Sequence, residues 1–143
     1  MTPAQADLHE RVGVHLREAF GELVKEAPDG SAFFVPLGRI GVRVEVEAVG
    51  EQDALVECYA WIAQKLAVDE ALGSFLAHRN AGLRFGALCV DGEGAVIFRH
   101  ALFAEATTKL VLGRLVEVMA DTADTIDQEL RERFGAVAIP QAP

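Results

Sequence analysis

Near the start of the chain Leu8, Val12, Leu16, Phe20 and Val24 recur at every fourth position, and Ala19 and Leu23 widen the stripe. This spacing predicts an amphipathic helix of about six turns. Thr2-Pro3-Ala4-Gln5 supplies its start: a hydroxyl cap, a proline where the missing N–H costs nothing, and Gln at the capping-box position. Pro28-Asp29-Gly30 ends it. The period then falls from four to two. "SAFFVPLG" reads as a short strand whose Pro36 removes a ladder donor, which points to an edge or a bulge. In "GVRVEVEAVG", Val42, Val44, Val46 and Ala48 alternate with Arg43, Glu45 and Glu47, the signature of a half-buried antiparallel strand. "ALVECYAWIA" follows as a third strand. Val56, Cys58, Ala60 and Ile62 form its apolar face, and Leu55, Glu57, Tyr59 and Trp61 the other.

The pattern returns to helix in "VDEALGSFLAHRNAG", with Leu72, Phe75 and Leu76 on one side, acids in the first turn, and Asn80 with Gly82 as the stop. "LRFGALCV" and "AVIFRHAL" are two strand-like runs separated by Asp91-Gly92-Glu93-Gly94, a hairpin whose glycines tolerate positive φ. A last helix is expected over 105–134, with Val111, Leu115, Val118, Met119, Thr122, Ile126, Leu130 and Phe134 at helical spacing and Gly135 as its end. Thirty residues span roughly 45 Å, longer than a domain of this size is wide, so this helix should overhang, bend or pack on a second chain. The order α-βββ-α-ββ-α predicts one α+β domain over residues 5–135, with a five-stranded antiparallel sheet packed by helices. "AVAIPQAP", residues 136–143, is expected to be a flexible tail.

Composition narrows the function classes. The 143 residues are long enough for one core without a disulfide or metal staple. The formal charge is −9, from 13 Lys plus Arg against 22 Asp plus Glu, which repels phosphates and disfavours both nucleic acid and an anionic membrane surface. The first residues lack a secretory pattern and no run approaches a bilayer span, so a cytoplasmic location is expected. Cys58 and Cys89 each sit in an apolar strand and read as two small buried hydrophobes.

"CVDGEGAVIFRH" concentrates the most reactive groups in the chain. A calcium loop needs five or more oxygens at fixed spacing, and here only Asp91 and Glu93 are offered. A phosphate cradle should precede a helix, whereas this turn precedes a strand. His9, His15, His78 and His100 show no HxxxH or HxH spacing. If residue 90 pairs with 95, then 89 faces 96 and 85 faces 100, so His100 does not oppose Cys89 to activate it. Glu117, Asp121, Asp124 and Asp127 make an acidic ridge on the last helix that reads as a solvated face, with Asp127 and Arg131 an i,i+4 pair. No catalytic residue, cofactor or metal is assigned. The rival reading is a small-ligand binder or enzyme using a cavity between sheet and helices, with Cys58, Tyr59, Cys89 or His100 as its polar groups.

The outer sheet face is more informative. With Phe85, Ala87 and Cys89 placed inward, that face is expected to carry Tyr59, Trp61, Arg84, Leu88, Ile97 and Arg99. Aromatics and arginine among sparse charges suit a protein-interaction surface. The passage "FLAHRNAGLRFGALCVDGEGAVIFRHALF", with Asn80, Phe85, Asp91 and Gly92, resembles the corresponding segment of YbjN-type proteins, which are similar to the class I type III secretion chaperones. The resemblance implies a non-enzymatic, chaperone-like or regulatory module. It would bind partner-protein segments as a homodimer, with some relatives linked to stress response. Clients of such chaperones lie as extended chain over apolar patches and sheet edges.

Overall fold

The computed structural model describes residues 1–138. Helix α1 (Pro3–Phe20) starts as expected: Thr2 accepts from the Gln5 amide, and the Gln5 side chain accepts from the Thr2 amide. It stops earlier than the apolar stripe suggests. Gly21 takes φ 58°, a 3-10 turn follows, and Lys25–Glu26 then forms β1. The remaining elements are β2 (Ala32–Val35), β3 (Val42–Val49), β4 (Asp53–Gln64), α2 (Glu70–Gly82), β5 (Ala87–Val90), β6 (Val96–Phe103), α3 (Lys109–Phe134) and β7 (Val137–Ala138). The expected α-βββ-α-ββ-α order is present, with two additional two-residue strands.

All strand pairings are antiparallel, in the order β1-β2-β3-β4-β6-β5. Of the tail expected to be flexible, Val137 and Ala138 pair with Gln64 and Ala63 at the end of β4, and 139–143 lie outside the described residues. The period-2 reading of β3 and β4 holds for Val42, Val44, Val46, Val56, Cys58, Ala60 and Ile62, which all turn into the core, but Ala48, read with the β3 valines, is exposed where the strand runs out to its turn. Leu8, Val12 and Leu16 of α1 close that core with α3, and Leu72, Phe75 and Leu76 of α2 join it.

Helix α3 begins at Lys109, four residues later than the sequence suggests, because the Thr108 hydroxyl caps the Val111 amide. Its buried stripe is Leu112, Val116, Met119, Ala120, Ala123, Ile126, Asp127 and Leu130. Val111 and Val118, counted in the predicted stripe, are 40% and 38% exposed. Because the stripe runs from Leu112 to Leu130 along this chain's own sheet and α1, the helix needs no second chain to cover that face.

The acidic ridge is not simply solvated. Asp124 accepts from the backbone N–H groups of Arg39 (3.0 Å) and Ile40 (3.2 Å) and so fixes the loop before β3. Asp127 is 1% exposed, and its two oxygens lie 3.0 and 3.1 Å from Arg131 Nε. A buried carboxylate persists only when paired in this way.

Cys58 lies at the centre of the sheet, wholly buried, and burial pushes its thiol up to about 12 from an ordinary 9.0. The unfolded chain therefore loses this proton first as pH rises. The thiol's contribution to stability is complete below pH 9 and drains away between 9 and about 12. The expected loss is about 1.4 kcal/mol by pH 10. Urea midpoints at pH 8 and 10 check it: the midpoint should fall, and Cys58→Ala, though less stable overall, should flatten that fall.

Candidate protein-interaction face

Helices pack on only one side of the sheet: α1 and α3 on β3 and β4, and α2 on β5. The side chains that alternate with the core residues therefore face outward, and the register arranges them in rows. Glu47, Leu55 and Phe103 form one row; Glu45, Glu57 and Ala101 the next. Arg43, Tyr59, Arg99 and Ala87 follow, and Trp61, Ile97 and Cys89 complete the face. Apolar rows thus flank a polar belt, with Leu55 and Trp61 six residues apart on β4, about 20 Å.

The belt satisfies itself. Arg99 donates to Glu57 at 2.7 Å, Tyr59 donates its hydroxyl to Glu57, Arg43 pairs with Glu45, and the Arg99 guanidinium lies 5.7 Å from the Tyr59 ring centroid. Partial burial, with help from the Glu57 hydrogen bond, pushes the Tyr59 phenol up, and the same carboxylate raises Arg99. Tyr59 therefore stays a neutral phenol and Arg99 a cation at pH 7. In the flanking rows Phe103 is 71% exposed and Trp61 39%, with Leu55 and Ile97 half-buried beside them. Covering such side chains yields roughly 25 cal/mol per Å² of apolar area, while a belt already paired internally demands little of a ligand.

Of the six residues read from the sequence as one surface, Tyr59, Trp61, Ile97 and Arg99 share this face. Leu88 does not. It is 4% exposed and faces the core opposite Phe98, while Ala87 and Cys89 point outward. The cause is Gly86, which at φ 65° bends the chain just before β5, so an alternation counted from Leu83 is reset. A Cβ at Gly86 would come within 2.7 Å of the Phe98 ring and 2.9 Å of Arg99 O, which explains why the bend occurs at a glycine. Arg84 is exposed in that bend, off the strand. Leu55 stands on the outer side of β4, as its alternation predicts, but Phe103 and Ala101 were missed; the alternation of β6, extended beyond His100, finds both.

The edges differ from the face. The Asn80 side chain donates to Leu88 O (2.9 Å) and accepts from Leu88 N (2.8 Å), filling both backbone groups that point away from β6. That seals the β5 edge at this residue against an added strand. At the other edge β1 offers only Lys25 and Glu26.

The hairpin turn behaves as a turn. Asp91 Oδ1 accepts from the amides of Glu93 (2.9 Å) and Ala95 (3.0 Å), so this oxygen is committed to the backbone. Cys89 pairs with Ile97 rather than Val96, and His100 indeed does not oppose it. The β4–β6 register instead sets His100 opposite Cys58, both turned toward the core, a juxtaposition no local pattern revealed. The pair lacks the features of a nucleophile: the thiol is fully buried and held protonated, and the His100 ring sits edge-on to Phe85 at 5.8 Å. No helix among the described residues is long and apolar enough to cross a membrane.

Among the described residues the chain is thus an α+β domain whose antiparallel sheet carries its helices on one side and presents a partly apolar face on the other. Residues 6–140 match the family described as T3SS (YopN, CesT) and YbjN peptide-binding chaperone 1, and the chain belongs to that family. Among solved structures it is similar to the Yersinia pestis type III secretion chaperone SycH, crystallised with a stable fragment of YscM2. The TM-score is 0.52 at 15% identity, covering 82% of this chain and 98% of that one. It is also similar to E. coli YbjN, with a TM-score of 0.55 at 13% identity, covering 87% and 93%. These likenesses show the fold. No curated protein matches the chain.

Proposed function

We propose that this protein is a non-enzymatic, chaperone-like module that holds segments of partner proteins across the outer face of its sheet, as a homodimer in the cytoplasm. One observation carries the reading: the outward-facing apolar side chains of Trp61 and Ile97 and of Leu55 and Phe103, about 20 Å apart across a self-paired belt. An extended segment of about six residues spans that distance with apolar anchors at both ends. Membership in a peptide-binding family supports it. A role in stress response rests on the YbjN resemblance alone. The test is capture of partners from cell extract by wild-type protein and by the Trp61→Ala, Phe103→Asp variant. Loss of the captured set in the variant supports the reading, and equal recovery overturns it.

Support for the homodimer comes from another surface. Leu110 is 74% exposed, beside Ala19, Lys109, Gly113, Arg114 and Glu117, a patch whose mixed charges suit a self-complementary, two-fold interface. Light scattering at tens of micromolar should report twice 15.4 kDa, and Leu110→Glu should return it to 15.4 kDa. A wild-type species of 15.4 kDa alone would contradict the dimer.

A further inference from the structure

We infer that the groove between α2 and the last turns of α3 is a binding site for an apolar group bearing a single carboxylate. The groove has a volume of about 490 Å³, within the range of ligand sites. Small side chains, Ala71 and Ser74, open it on the α2 side. Its apolar floor is Phe75, met edge-on by Phe134 with ring centroids 5.6 Å apart. Two guanidiniums line it, and they are not equivalent. Arg79 Nη2 lies 3.2 Å from Glu129, which neutralises it. Arg133 is held 5.5 Å over the Phe75 ring, with no carboxylate in ion-pair range among the described residues.

The groove therefore carries one positive charge in excess, in a chain whose formal charge is −9. A guanidinium stacked on an aromatic face keeps its planar edge free, and that edge matches a carboxylate through two parallel hydrogen bonds. One excess charge fits a monoanion better than a phosphate dianion. The phenylalanine floor then takes the ligand's apolar part. Such chemistry belongs equally to a free carboxylic acid and to the C-terminus of a polypeptide ending in an apolar residue. The site is separate from the outer sheet face, so either can fail without the other.

The experiment is calorimetric titration of the full chain with N-acetylphenylalanine, its amide, octanoate, and a five-residue peptide ending in free phenylalanine. N-acetylphenylalanine, octanoate and the peptide should all bind, and the amide should be weaker than N-acetylphenylalanine by at least tenfold. Arg133→Gln should remove that preference and Arg133→Lys retain part of it, both with wild-type melting temperatures. Tighter binding of the peptide than of N-acetylphenylalanine identifies a polypeptide C-terminus as the ligand, and equal binding identifies a small carboxylate. Equal affinity for acid and amide, or no binding of any probe at millimolar concentration, overturns the proposal. If Arg133→Gln fails to fold, the acid-to-amide ratio of the wild-type protein still decides.

Discussion

Replacing Trp61 by alanine and Phe103 by aspartate should weaken binding of a captured partner segment by about 100-fold or more. Each side chain ends one of the two outward apolar rows, and a large aromatic anchor in a contact costs about 2 kcal/mol when truncated. Tenfold in affinity corresponds to 1.4 kcal/mol, so two losses that add reach several hundredfold, and about a hundredfold remains when up to roughly 1 kcal/mol is shared. Phe103 is 71% exposed and Trp61 39%, so the folded state loses little by their removal. Unfolding free energy should stay within about 1 kcal/mol of wild type. Calorimetry with the captured segment, alongside urea unfolding of the variant, separates lost binding from lost structure. Leu88→Asp is the informative contrast: Leu88 is buried against the core, so that change should unfold the domain rather than disarm the face.

A large stability effect from a single added methyl group is expected at Gly94. Its φ is 82°, and a Cβ placed there would sit 2.0 Å from Leu66 O and 2.7 Å from Leu66 N. Those atoms are backbone and cannot rotate away. They belong to the segment after β4, which is tied to the turn by the Leu66 N–H donating to Gly94 O at 3.0 Å. Gly94→Ala should therefore cost about 3 kcal/mol, from the positive φ and the forced separation of these two segments. For a domain of this size that is a fall in melting temperature of about 10 °C. Gly92→Ala, two positions earlier in the same turn, should be nearly neutral, because its Cβ would meet nothing within 4 Å and its φ is not positive. A thermal melt of both variants checks the contrast.

The sequence makes the long elements legible because their periods are strong. Alternation over 42–46 in β3 and 53–62 in β4 sets the outward phase of Tyr59 and Trp61. Thr2 and Gln5 announce the first helix turn. What escapes has a physical cause in each case. The four residues of β5 carry too little alternation to overrule the Gly86 bend, which is why Leu88 and Cys89 were assigned to each other's faces. The two-residue strands β1 and β7 have no pattern of their own and exist only through their partners. Asn80 reads locally as a helix stop, but its amide spends both its donor and its acceptor on Leu88, a bond set by tertiary position. Likewise Asp124 and Asp127 look like a charged surface until the 38–40 loop and Arg131 close over them. The approach of Cys58 to His100 depends on β4 pairing with β6 across an intervening helix and strand, and no local rule supplies that register.

Trp61 is the only tryptophan in the chain and stands on the face held responsible for binding, so its emission is a direct reporter of that face. Titrating wild-type protein with a captured partner segment that lacks tryptophan should shift the emission to shorter wavelength and saturate at the calorimetric affinity. A segment that binds with the same affinity while leaving Trp61 emission unchanged would contradict the account.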